Sequence, residues 1–145
     1  MTRLLCLALV ALTMLGPSAL SAQQIADEET MKALEAMIDK ALDAYNKQDW
    51  KAFYADFAPA MAAICTEQAF QTMYIGMYMN QFGQYKSREL IKEKTVVPAN
   101  PADAPVGLLQ YKAVFEKNAQ VEIAVNITRD GNAWKLMQIQ FNDAH

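Results

Sequence analysis

The chain has 145 residues, 53% of them hydrophobic and 20% charged, with a formal net charge of −3 and a single histidine. Its densest basic stretch, Lys86 to Lys94, is interleaved with Glu89 and Glu93, so it lacks the clustered Lys and Arg from which nucleic-acid binding draws affinity. There is no His pair for zinc, no Gly-rich phosphate loop and no Gly-x-Ser-x-Gly turn, so neither metal nor cofactor is expected.

Met1-Thr2-Arg3 precedes an apolar run from Leu4 to Leu15, which Gly16-Pro17-Ser18 breaks before the small residues Ala19, Ser21 and Ala22. This is the layout of a secretory signal peptide, and the run is shorter than the roughly 20 residues a membrane-spanning helix needs. Residues 1–22 are therefore expected to be removed on export to a periplasmic or extracellular destination. Residues 23–145 would remain as a single domain with no stable membrane insertion. Cys65 is then the one cysteine left, which forbids an intramolecular disulfide. It reads as a small core residue, because a catalytic thiolate needs a base and the only histidine is His145.

Ala26 to Asn46 is predicted as a helix, with Met31, Leu34, Ile38, Ala41, Leu42 and Tyr45 on one stripe. The acidic residues of its first turn suit the helix dipole. Asp49 is the expected N-cap of a short second helix burying Trp50, Phe53, Tyr54 and Phe57, which Pro59 ends or bends. Thr66 should cap a third helix that reaches Asn80 and stops at Gly83. Phe70, Met73, Tyr74 and Met77 form its apolar stripe, broadened by Ile75, Tyr78 and Met79. Tyr85 to Val97 reads as a lysine-bearing edge strand, followed by a loop punctuated by Pro98, Pro101 and Pro105.

From Leu108 to Phe141 three antiparallel strands are expected. Val121, Ile123, Val125 and Ile127 alternate with Glu122, Ala124 and Asn126, as in a strand with one buried face. Asp130-Gly131 is a strong hairpin signal. A three-residue loop with Gly131 left-handed puts Val121 across from Ile139, Ile123 from Met137 and Glu122 from Gln138. A similar loop at Lys117-Asn118-Ala119 puts Phe115 across from Val121, Ala113 from Ile123 and Tyr111 from Val125. A two-residue loop at Asp130-Gly131 would instead put Gln138 opposite Ile123, because a slip of one residue exchanges the faces.

Helices followed by strands favour an α+β domain, with N-terminal helices packed on one face of a curved antiparallel sheet. The stretch from Leu42 to Trp50, the Phe57 to Met61 segment, the Gln81-Phe82-Gly83-Gln84-Tyr85 helix end and the Asp130-Gly131 to Leu136 hairpin resemble the nuclear transport factor 2-like, or cystatin-like cone, superfamily. Within it they resemble small exported bacterial proteins of unknown function. The resemblance implies a sheet wrapped around a long helix, with a cavity between them.

With Leu109, Tyr111, Ala113, Phe115, Val121, Ile123, Val125 and Ile127 facing that cavity, no acidic strand residue enters it. The expected function is then binding without catalysis, of a hydrophobic small molecule oriented by the hydroxyls of Tyr45, Tyr74 or Tyr111. Those tyrosines would equally serve as plain core. The alternative is a cone-fold isomerase or cyclase using Glu122 as general base, which requires Glu122 to face inward beside Gln138, Gln140 and Asn126. Asp43 and Asp56 are the other carboxylates in play, each expected to be solvated. Asn126-Ile127-Thr128 matches the glycosylation pattern, but it falls within a strand and reads as chance. A patch of Val114, Trp134 and Leu136 on the sheet face away from the helices would support a homodimer.

Overall fold

Asp27 opens the first helix: its carboxylate accepts a 2.7 Å hydrogen bond from the Thr30 amide, one of those the first turn leaves unpaired. The computed structural model describes residues 25–99 and 105–144, and in it α1 runs Glu28–Lys47. The expected leader, residues 1–22, and His145 lie outside the described residues. Leu34, Ile38, Ala41, Leu42 and Tyr45 are buried along one stripe of α1. The helix stops at Gln48, whose φ of 57° is left-handed.

Asp49 caps α2 (Trp50–Phe53) through the Ala52 amide at 3.2 Å. Phe53 alone of the four expected aromatics is fully buried, while Trp50, Tyr54 and Phe57 pack against the core half-exposed. Pro59 neither ends nor bends α2, which stops at Phe53. It begins a 3-10 turn, Pro59–Met61, where its missing N–H costs nothing.

Thr66 caps the next helix as expected, accepting from Ala69 N at 3.1 Å. That run is α-helical over Glu67–Phe70, π-helical over Gln71–Met79 and α-helical again over Asn80–Phe82, ending at Gly83 with φ 76°. A π-turn closes on the fifth residue instead of the fourth. In that wider turn, residues four apart stand almost above one another, and Phe70, Tyr74, Tyr78 and Phe82 form the buried face. Residues three apart swing away, so Met73 and Met77 are exposed and not part of the expected core stripe.

The strands are β1 (Tyr85–Leu90), β2 (Val106–Phe115), β3 (Val121–Asp130) and β4 (Ala133–Asp143), paired antiparallel in the order β1-β2-β3-β4. The sheet is open and the helices lie to one side, an α+β architecture. β1 is shorter than the expected Tyr85 to Val97 strand because a 3-10 turn, Lys92–Lys94, interrupts the edge. Thr95 pins this detour: its hydroxyl donates to Ile91 O at 2.9 Å and accepts from Gln110 N at 3.2 Å.

Both hairpin registers differ from expectation; the apolar residues of β2 and β3 keep their sides, whereas on β4 Trp134 and Leu136 turn inward and Met137 turns out to the opposite face. Val121 pairs with Ala113 and Tyr111 with Ile123, two residues from the expected register. The five-residue connection, 116–120, is knitted by Asn118, whose side-chain oxygen accepts from Gln120 N at 2.8 Å. At the other hairpin Asp130 pairs with Ala133, so the turn is Gly131-Asn132, with Gly131 supplying the positive φ of 61°. A two-residue turn alone would reverse the faces of β4. An irregularity between Asn126 and Ile127, which leaves Met137 as the extra residue of β4, reverses them again. Val125 therefore meets Ile139, Ile123 meets Phe141 and Glu122 meets Asn142, in place of the expected Val121–Ile139, Ile123–Met137 and Glu122–Gln138.

The side chains from Leu109 to Ile127 expected to face the helices are all buried there. Aromatic rings fill the space between the layers, with Tyr45, Phe115, Phe141, Tyr74 and Tyr78 in consecutive contact, centroids 4.8 to 6.2 Å apart.

Candidate functional site

The three tyrosines expected to orient a ligand are buried, and each hydroxyl is spent on a structural bond. Tyr45 donates to Gly83 O at 2.7 Å, tying α1 to the end of the Glu67–Phe82 helical run. Tyr74 donates to Ile139 O at 2.6 Å on β4, and Tyr111 to Glu35 Oε1 at 2.7 Å. Burial pushes all three phenols well above their ordinary range, and the neighbouring Glu35 adds to the effect at Tyr111. All three pack as core residues.

Tyr111 belongs instead to a polar cluster that joins α1 to β1. Arg88, its side chain 9% exposed, reaches Glu35 at 2.5 Å, Asp39 at 2.6 Å and the Tyr85 hydroxyl at 3.0 Å. Burial opposes its charge, but the hydrogen bonds with Tyr85, Glu35 and Asp39 prevail and hold it more firmly protonated than a free guanidinium. Two carboxylates and a phenol hydroxyl thus converge on one guanidinium, which clasps α1 to β1.

The apolar space lies on the opposite face of the sheet. Leu108, Asn126 and Gln138 are register partners across β2, β3 and β4, and their neighbours Leu109, Val125 and Ile139 are buried on the helix side. Alternation therefore turns this row outward. It floors a groove of about 620 Å³, walled by Met61 and Ile64 from the segment after Pro59, by Val96 and Val106 beside β2, and by Met137. Ile64, Val96 and Val106 are 59%, 48% and 49% exposed. The paired amides of Asn126 and Gln138 offer a donor and an acceptor on an otherwise apolar floor. This groove was missed in the sequence, although one signal was present: Leu108 and Leu109 are adjacent in a strand, so one of them had to face outward.

Segment 56–58 positions the groove wall by pairing with the edge of β4. Leu136 N donates to Asp56 O at 2.9 Å, and Ala58 N donates to Leu136 O at 2.8 Å. The chain then turns at Pro59 and carries Met61 and Ile64 past that edge.

The expected outer patch of Val114, Trp134 and Leu136 does not assemble. Val114 is 39% exposed, but Trp134 and Leu136 are 7% and 0% exposed, on the helix side of β4. The extra residue at Met137 is the cause, since it lets the Trp134 and Leu136 half of β4 share the inward face of Ile139 and Phe141.

Glu122 points away from the helices, and its Oε1 accepts from Lys94 Nζ at 3.1 Å. Asp43 pairs with Lys47 at 2.9 Å and Asp56 with Lys40 at 3.7 Å, both near solvent. Cys65 is half-buried, and burial raises its thiol pKa, which disfavours the reactive thiolate. Among the described residues no group of three or more His, Cys, Asp or Glu side chains is arranged to hold a metal ion, and no helix is long and apolar enough to cross a membrane.

Residues 37–138 match the model of one protein family, described as a protein of unknown function (DUF4019). No protein with a curated description matches the chain.

Proposed function

From the premise that the chain belongs to the DUF4019 family, to which no activity is ascribed, we propose that it is an exported binding domain of the nuclear transport factor 2-like kind. Its ligand is a hydrophobic small molecule seated in the outer groove, and it binds without catalysis. The observation that carries this reading is the gathering of Ile64, Val96 and Val106, three large aliphatic side chains left in solvent, around one hollow. Scattered exposed aliphatics are ordinary, whereas a contiguous concave set marks a contact surface. About 620 Å³ lies within the usual range for a small-molecule site, and the Asn126 and Gln138 amides would fix one polar group of the ligand.

What weighs against the isomerase or cyclase alternative is that Glu122 lies on the outer face in an ion pair with Lys94. A base must reach the proton it removes, and among the described residues no carboxylate lines the groove.

Native mass spectrometry of protein purified from its own export compartment, together with titration by anilinonaphthalene sulfonate, tests the reading. Wild type is expected to carry a small molecule, or when empty to enhance the dye's fluorescence. The Ile64→Asp, Val96→Asp double variant is expected to do neither. Equal enhancement by a folded double variant would contradict the groove as the binding site.

A further inference from the structure

Among the described residues two arginines stack on aromatic rings, and Arg88 alone meets a described carboxylate. Arg88 lies 5.1 Å from the centre of the Tyr111 ring, with Glu35 and Asp39 on its terminal nitrogens. Arg129 lies 4.3 Å from the centre of the Trp134 ring, its register partner across the β3–β4 hairpin. Among the described residues no carboxylate oxygen comes within 4.0 Å of Arg129. Among the described residues its Nη2 makes one long hydrogen bond, 3.4 Å, to Pro98 O, and its Nε meets no partner. The indole Nε1 of Trp134, a residue 93% buried by its 7% exposure, also has none.

Both side chains line a hollow of about 510 Å³ between the first half of α1 and the hairpin end. Leu34, Met37 and the indole give it an apolar wall, while Arg129, Lys135 and Glu29 give it charge. Arg129 is half-buried, with its Nε sealed from solvent and its terminal nitrogens at the hollow, and the planar fork of a guanidinium matches a carboxylate. Arg88 is the same pairing within the same chain, completed by two acidic side chains.

We infer that the hollow beside Arg129 and Trp134 binds a small organic monocarboxylate, its charged end on the Arg129 guanidinium and its apolar body against Leu34, Met37 and the Trp134 ring. Two cations set against Glu29 leave one unit of positive charge, which suits a monoanion and disfavours a phosphate dianion. The site is independent of the outer groove, since Trp134 faces the helices and the groove floor faces away from them.

The chain has only two tryptophans, Trp50 and Trp134, so two indole N–H resonances report on the full-length protein in a ¹⁵N-correlated NMR spectrum. Octanoate is expected to shift the Trp134 indole signal saturably at millimolar concentration while Trp50 stays in place. Octanamide, equal in size but uncharged, is expected to bind roughly tenfold more weakly or worse, and inorganic phosphate is expected to leave the signal unmoved. Arg129→Met should abolish the octanoate shift, and the Ile64→Asp, Val96→Asp double variant should retain it. Should Arg129→Met fail to fold, the contrast between octanoate and octanamide on wild type still decides. No shift with octanoate, or equal shifts with octanamide or phosphate, would overturn the inference. Asp103 lies outside the described residues, between Ala99 and Pro105, and an Asp103→Asn variant whose free-state Trp134 signal moves as it does in Arg129→Met would also overturn it, since the counter-ion would then be the chain's own.

Discussion

Arg88 and Arg129 are built alike and finished differently. Each guanidinium lies over an aromatic ring contributed by a strand, and each leaves its Nε unpaired. At Arg88 the terminal nitrogens are taken by Glu35 and Asp39 of α1, four residues apart and hence on one helix face. At Arg129 the facing positions of α1 are Thr30, Ala33, Leu34 and Met37, and the acid nearby, Glu29, forms no ion pair with it. One helix thus closes one arginine site with carboxylates and leaves the other open with aliphatics. The closed site stabilises the fold, and the open one has capacity to spare.

Unfolding in urea sharpens the contrast most. Arg88→Met strands a Glu35 carboxylate that is only a third exposed and a buried Tyr111, and should cost about 2 to 3 kcal/mol, below the full penalty for a buried pair because Asp39 is solvated. Arg129→Met should change stability by less than about 1 kcal/mol in either direction, since no ion pair among the described residues is broken. Equal losses would erase the distinction between the two sites.

Alkaline titration comes next. The folded state holds the phenols of Tyr45, Tyr74 and Tyr111 above the ordinary value of 10.0, so above that pH the unfolded chain releases protons that the folded chain keeps. Their contribution is fully present below about pH 10 and is lost as pH rises toward the folded values, by about 1.4 kcal/mol per pH unit for each phenol. Stability measured by denaturant at stepped pH should fall more gently in Tyr111→Phe, which removes the phenol of the closed site. At neutral pH the same variant should lose about 1 kcal/mol, the cost of one hydrogen bond to Glu35.

Gly131→Ala should cost a little under about 1 kcal/mol, because the φ of 61° is strained for any side chain although nothing lies within 4 Å of the added Cβ. It should also weaken octanoate binding, since that turn sets Arg129 opposite Trp134. Smallest of all, Lys94→Met should change stability by no more than about 0.5 kcal/mol, because its pair with Glu122 is largely solvated.

The sequence carried the local physics well. Asp49, Thr66 and Gly83 sit at the helix ends where their side chains or backbone freedom are needed, and alternation from Val121 to Ile127 placed the buried face of β3. Alternation fixes only parity, however. The two-residue turn at Gly131-Asn132 and the extra residue at Met137 each shift register by one, and together they restore the face while moving every partner. Trp134 and Leu136, on the turn side of that irregularity, were consequently assigned to the wrong face. The π-helix left no legible mark in the order Gln71 to Met79, because its apolar spacing fits an α-helix equally well. The Arg88 clasp was illegible for a different reason. Glu35 and Arg88 are 53 residues apart, and nothing local to either one names the other.

The most direct test of where this domain binds is methyl-resolved NMR of protein labelled at isoleucine, leucine and valine, titrated with anilinonaphthalene sulfonate. Binding in the outer groove requires shifts at Ile64, Val96, Val106 and Leu108, with Leu42, Leu109 and Val125 unmoved. Shifts confined to Leu42, Leu109 and Val125 would place the ligand between helix and sheet and contradict the groove.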